Sequence, residues 1–130
     1  MIRNSALDQS TEENVSILID CGVTIHRVLG PGFVEPVYRN AFCLELECRH
    51  IPFECEKQIV VKYRDAPVGL HKIDLIVHRS IIVELKAVSS IEPVHVAQVL
   101  SYLKATGLRV GLLMNFSGAT LRDGLRRIIR

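Results

Sequence analysis

The chain has 130 residues, 48% of them hydrophobic, and a formal charge of +2. That length suits one domain, the apolar content excludes a disordered chain, and the core needs no disulfide or metal staple to form. The small charge does not by itself announce a nucleic-acid binder. No apolar run is long enough to span a bilayer, and the polar opening "MIRNSALDQSTEEN" is no signal peptide, so a soluble cytoplasmic protein is expected.

Residues 1–9 read as a disordered terminus and residues 10–130 as the single folded domain. A first helix follows, "STEENVSILIDCGVTIHRVLG", capped by Ser10 or Thr11 and carrying acids in its first turn. Val15, Leu18, Ile19, Val23 (or Gly22), Ile25 and Leu29 approximate one apolar stripe, and "GPG" at 30–32 stops it. A second helix is predicted over 35–49, with Pro36 tolerated in its first turn. Val37, Ala41, Leu44 and Cys48 are its expected buried face.

Strand character begins at "IPFECEKQIVVKYR". "DAPVG" reads as a turn, 69–77 as a second strand, "HRS" as a tight turn and "IIVELKAV", 81–88, as a third strand. A helix over 93–106 ends at Gly107, and "RVGLLMNF" is a fourth strand. The tail "ATLRDGLRRIIR" fits either a short helix or a strand. The predicted order is α-α-β-β-β-α-β: a three-strand meander plus a βαβ crossover, hence a mixed four-stranded sheet flanked by helices. The four cysteines, Cys21, Cys43, Cys48 and Cys55, form no CxxC pair and precede no His at zinc-finger spacing. Reduced, partly buried thiols are expected.

The third strand poses the chemical question. Ile81, Val83, Leu85 and Ala87 share one apolar face; Ile82, Glu84, Lys86 and Val88 share the other. A solvated face, a buried structural ion pair and a cleft are the three readings. Apolar residues at both ends argue against the first. The desolvation of two charges, several kcal/mol per ion, argues against the second. Asp74 in "KIDLIV" lies ten residues before Glu84. With an odd hairpin loop at His78–Ser80 it stands directly opposite Glu84 on the same face, Cβ atoms about 5 Å apart. Two carboxylates that close repel unless a positive charge intervenes, and a divalent cation such as Mg²⁺ meets that need while keeping waters for a phosphate. Lys86, one strand repeat on, is placed to hold a water or to steady charge on a phosphoryl oxygen.

D-x9-E-x-K on adjacent strands resembles the signature of the PD-(D/E)XK nuclease superfamily, with its αβββαβ restriction-endonuclease-like core; the first helix is extra to that core. More narrowly, Gly32, Glu35 and Tyr38 in "GFVEPVY" resemble the naming motif of the GxxExxY protein family. "HRVLGPG", "IDLIV", "IIVELKAV", "HVAQVLSYLKATGLRVGLLMNF" and "DGLRRI" extend the resemblance from about residue 12 to the C-terminus. Ile73 departs from it, standing where the superfamily name has Pro.

The resemblance implies that Asp74, Glu84 and the Leu85 backbone carbonyl bind Mg²⁺ or Mn²⁺, and that Lys86 positions or activates the attacking water. Glu35 would reach the same site from its helix as a further metal or water ligand; otherwise it is a carboxylate favoured by a helix N-terminus. Gln98 and Tyr102 share a helical face and resemble the extra Gln-x-x-x-Tyr motif of RecB-like nucleases, though an amphipathic helix holds such pairs too. Tyr38, His26 and His95 are supporting candidates, with a surface role for His95 and a capping or structural role for His26 as alternatives. Arg122, Arg126, Arg127 and Arg130 of the tail, and Arg27, Arg39 and Arg49 of the first helices, are either solvated or phosphate contacts. The expected activity is metal-dependent phosphodiester hydrolysis on DNA, with a homodimer or partner protein supplying recognition. The rival is an inert nucleic-acid-binding or protein-interaction module on the same fold.

Overall fold

The computed structural model describes residues 7–130. Three helices, α1 (Gln9–Leu29), α2 (Glu35–Cys48) and α3 (Pro93–Thr106), pack on five strands, β1 (Phe53–Tyr63), β2 (Ala66–Val77), β3 (Ile81–Lys86), β4 (Val110–Asn115) and β5 (Leu125–Ile129). The element order is therefore ααβββαββ, and the sheet has five strands rather than four, in the order β1-β2-β3-β4-β5. β1, β2 and β3 form an antiparallel meander, α3 carries the chain across to a parallel β4, and β5 returns antiparallel. The undecided tail resolves into a 3₁₀ turn, Arg122–Gly124, and then that fifth strand. In it Ile128 is buried, while Arg126 and Arg127 are exposed.

Of the expected disordered stretch 1–9, residues 1–6 lie outside the described residues. Its end is structured, because Asp8 rather than Ser10 or Thr11 caps α1, accepting the Thr11 N–H at 2.7 Å. A carboxylate there satisfies an orphan donor and also favours the positive end of the helix dipole. The β1–β2 hairpin turns at Arg64 and Asp65, both at positive φ (52° and 65°). With Tyr63 paired to Ala66, this is a two-residue turn matched to strand twist, so β2 starts at Ala66, earlier than the predicted residue 69.

The sheet separates two apolar layers. α1 and α2 cover the face of Leu75, Val77, Ile81, Val83, Leu85, Leu112 and Met114. α3 covers Ile76, Ile82, Leu113 and Ile128 through Val99, Tyr102 and Leu103. α1 buries Val15, Leu18, Cys21, Gly22 and Ile25, close to its predicted stripe. Gly22 permits the approach: a Cβ there would stand 2.6 Å from the Leu121 side chain and 2.8 Å from Met114 Sδ. α2 buries Tyr38, Phe42 and Leu46 instead of Val37, Ala41, Leu44 and Cys48; Leu44 is 61% exposed. Apolar residues surround this helix, and the larger area of the two aromatic rings decides which side turns inward.

Candidate active site

β2 and β3 close through the three-residue loop His78–Ser80, with His78 and Arg79 at positive φ (54° and 56°). The register Val77↔Ile81, Ile76↔Ile82, Leu75↔Val83 brings Asp74 opposite Glu84. At that point the ladder changes character. The Asp74 N–H donates to Glu84 Oε2 at 2.8 Å, and the Leu85 N–H donates to Asp74 Oδ2 at 2.9 Å. Each carboxylate thus accepts a backbone amide of the facing strand, and both acid groups sit in the seam between β2 and β3.

The strand geometry explains why they can. Ile73 and Ile76 both pack on the α3 side, whereas Leu75 packs on the α1/α2 side, so the alternation of β2 slips at Asp74. Across β1 the partner position is Glu56, which takes a positive φ of 51° and drops out of the pairing between Cys55↔Leu75 and Lys57↔Ile73. Such local interruptions bend a sheet and re-aim side chains, and they occur often beside active sites. Ile73, where the superfamily name has Pro, is fully buried and donates no ligand.

Burial dominates the electrostatics of the seam. Glu84 is 4% exposed and its carboxyl is pushed up to about 8, first by loss of water and then by the neighbouring Asp74 charge; the Asp74 amide and Lys86 pull the other way. Asp74 is raised by burial as well, against the Leu85 amide, Arg39 and Lys86, which lower it. Glu35, the first residue of α2, is raised by burial and then by Asp74, so it stands within electrostatic range of the pair. Three carboxyls shifted in the same direction, each first by burial, make this a centre where negative charge is disfavoured unless a cation or a proton meets it.

Two side chains from α3 complete the neighbourhood. Lys86 Nζ donates to Gln98 Oε1 at 2.9 Å, which turns the ammonium out of the sheet and holds it over the end of β3. Tyr102, one turn on, is buried; its hydroxyl lies 3.4 Å from His71 Nδ1, and burial, then Glu84 and Asp74, push it up to about 12. A groove of about 460 Å³ opens beside them between α3 and the β1–β2 hairpin, walled by Ile59, Val61, His71, Val94 and Tyr102, with Gln98 at its edge.

The other candidates make contacts that hold loops and helix ends in place. The Tyr38 hydroxyl donates to the Gly30 carbonyl at 2.6 Å and accepts the Phe33 N–H at 3.2 Å, while its ring stacks on Phe116 at 4.4 Å. It pins the 30–33 loop, where Gly32 takes φ 113°, and so fixes where α2 and Glu35 begin. His26 Nε2 lies 2.9 Å from the Gly118 carbonyl and ties α1 to the loop after β4. His95 accepts the Glu92 N–H at Nδ1, 2.9 Å, as half of the box that caps α3. Its Nδ1 is thus engaged at the helix terminus. In the tail, Arg127 pairs with Glu12 of α1, and Arg126 folds back on the carbonyls of Asp123 and Leu125.

Three residues escaped the sequence reading. Arg39, seen only as one cation of a helix, stands 4.0 Å from Asp74 Oδ1 and 3.1 Å from Glu56. Its i+4 spacing from Glu35 was the available signal. His71 meets Tyr102 across the α3 groove. Asn115 brackets the end of β3 by accepting the Val88 N–H at 3.0 Å and donating to the Val88 carbonyl at 2.9 Å. No local pattern announces those two contacts.

A mixed sheet whose second and third strands carry an acid pair in their seam, with a lysine two residues beyond, is the arrangement the structure presents. The sequence pattern of the PD-(D/E)XK nuclease superfamily matches residues 12–128, and the chain belongs to that superfamily. Searches of curated proteins and of solved structures find no match. The donors fit a divalent cation in kind: two buried carboxylates lacking a full counter-charge are hard oxygen ligands. Among the described residues no three His, Cys, Asp or Glu side chains gather into one cluster, so Glu35 does not join Asp74 and Glu84 as a ready third ligand. No helix among the described residues is long and apolar enough to cross a membrane.

Proposed function

We propose that the protein is a metal-dependent phosphodiesterase of the GxxExxY type that hydrolyses DNA. The observation that carries this reading is the seam itself: Asp74 and Glu84 opposed across two strands, each held by the other strand's amide, with Lys86 steered by Gln98. In the reading, Asp74, Glu84 and the Leu85 carbonyl hold Mg²⁺ or Mn²⁺, and Glu35 joins through a water. The bound ion supplies Lewis-acid activation of the phosphodiester and lowers the pKa of a coordinated water.

The chain's own groups do the rest. The Lys86 ammonium orients the attacking water or meets charge growing on a phosphoryl oxygen. Gln98 keeps that ammonium from swinging onto the carboxylates. Arg39, paired with Glu56 at 3.1 Å and 4.0 Å from Asp74, keeps a positive charge beside the carboxylates. A homodimer or partner protein that widens the contact with the nucleic acid belongs to the same proposal.

The test is incubation of purified protein with single- and double-stranded DNA and RNA, in Mn²⁺, in Mg²⁺ and in chelator. Metal-dependent cleavage of DNA, lost in Glu84→Gln, is the expected result. Binding of DNA without cleavage under every metal condition would establish the inert module instead.

A further inference from the structure

The stripe of α2 that begins with the site continues away from it. Glu35, Arg39 and Cys43 are spaced i, i+4, i+8 and share one helical face. β1 and β2 answer them in order. Glu35 is within range of the Asp74 charge, Arg39 meets Glu56 at 3.1 Å, and Cys43 Sγ meets Cys55 Sγ at 3.1 Å. The ion pair and the thiol pair are thus neighbouring rungs, one helical turn apart on α2 and one residue apart on β1.

We propose that Cys43 and Cys55 form an oxidisable dithiol whose disulfide clamps α2 to β1 beside the site. Four observations carry it. The two sulfurs already touch, so closure to a bond of about 2.05 Å needs side-chain motion and no change of fold. Cys55 is exposed, so an oxidant in solution can reach it, and Cys43 is partly buried against it. The other two free thiols are placed differently: Cys21 is buried in the α1 core, and Cys48, at the end of α2, makes no such contact with a second thiol. Glu56, next to Cys55, is held at a positive φ and drops out of the pairing, so the β1 ladder is interrupted beside the thiol pair.

The oxidant is a peroxide. Cys55 attacks hydrogen peroxide, the O–O bond breaks, and a sulfenic acid and one water result. Cys43 then attacks the Cys55 sulfur, the S–O bond breaks, and a second water leaves. Two thiols have lost two hydrogens and two electrons, and one peroxide has gained them. Burial and the adjacent Cys55 push the Cys43 thiol up to about 12, so the exposed Cys55 is the thiol that meets the peroxide first.

The disulfide closes a short loop of chain between α2 and β1, and the Tm of the oxidised protein should rise by about 5 to 10 °C. It also holds the Glu35/Arg39 face of α2 against β1.

The experiment treats the full-length protein with hydrogen peroxide and reads it without any nuclease assay, so it stands or falls separately from the proposed function. Expected are a mass lower by two hydrogens, a Cys43–Cys55 peptide on non-reducing digestion, the rise in Tm, and slower amide exchange over 35–45 and 53–57. Cys43→Ser and Cys55→Ser should each lose all of these, while Cys21→Ser and Cys48→Ser keep them. Cysteine-to-serine changes at the exposed Cys55 leave the core untouched, so that variant reports even if Cys43→Ser folds poorly. A disulfide that involves Cys21 or Cys48, crosslinks only between molecules, or a Cys43–Cys55 bond with no gain in Tm or exchange protection would each overturn the proposal.

Discussion

Glu84→Gln tests the electrostatics of the seam in the metal-free protein, before any question of catalysis. The Glu84 carboxyl titrates near 8 in the fold against 4.5 for an ordinary glutamate. A folded value above the unfolded one means that the folded chain binds the proton more tightly. The resulting stability is complete below about pH 4.5 and is lost as pH rises through 8. Between pH 6 and pH 9 the loss is about 2–3 kcal/mol, on the order of 5–10 °C in Tm for a chain this size. Glutamine keeps an oxygen to accept the Asp74 amide and cannot ionise. Glu84→Gln should therefore show a flatter Tm from pH 6 to pH 9 and be the more stable protein at pH 9. Thermal melts of both proteins in chelator at closely spaced pH values read this directly. Adding Mn²⁺ should restore the parent at pH 9, because the ion replaces the proton, and leave Glu84→Gln unmoved. Equal slopes for the two proteins would refute the argument, as would a parent that gains stability toward pH 9.

Lys86→Ala should abolish cleavage yet bind Mn²⁺ at least as tightly as the parent in calorimetric titration, since a cation is removed from the ion's surroundings. Gln98→Ala should lower the cleavage rate by about 10-fold or more with metal affinity little changed, because it frees the Lys86 ammonium without touching a carboxylate. Tyr38→Phe should cost about 1–3 kcal/mol in denaturant unfolding, as it leaves the Gly30 carbonyl and the Phe33 amide without the bridging hydroxyl. Arg127→Ala should leave DNA affinity and its salt dependence unchanged, whereas Arg39→Ala should alter both metal and DNA binding; filter binding over a salt series separates them.

What the sequence discloses here depends on whether a signal is local. The offset between Asp74 and Glu84 is legible because hairpin register is arithmetic: an odd loop and a period of two leave one solution. Gln98 is legible because a helix repeats at a known spacing. The slip in β2 at Asp74 is not, since nothing in "KIDLIV" says that Ile73 and Ile76 will turn to one side. That slip follows from Glu56 leaving the ladder one strand away. The inward face of α2 was misjudged for a related reason. Counting apolar positions weights Leu44 and Phe42 alike, while packing against the sheet weights them by area. The fifth strand was hidden by two arginines in its middle, which an edge strand accommodates on its solvent side.

The seam also accounts for why a buried strand carries an acid and a base at all. An ionised carboxylate deep in a core costs several kcal/mol, and in the metal-free protein burial makes Glu84 hold its proton up to about pH 8. Here the slip at Asp74 takes the ladder's own amides and gives them to carboxylates. Two hydrogen bonds that the strands would have made with each other are made with Asp74 and Glu84 instead. That replaces one set of partners with another and leaves no amide orphaned, so the fold tolerates the acids while their remaining oxygens stay free. Lys86 does not neutralise them, because Gln98 draws its ammonium toward α3. Arg39 does so only at 4.0 Å and shares itself with Glu56. The sheet thus satisfies the hydrogen bonding of the acid pair and withholds its counter-charge. A structural ion pair is arranged the other way round, with charge satisfied first. A divalent cation would take the place of the proton that burial now makes Glu84 keep.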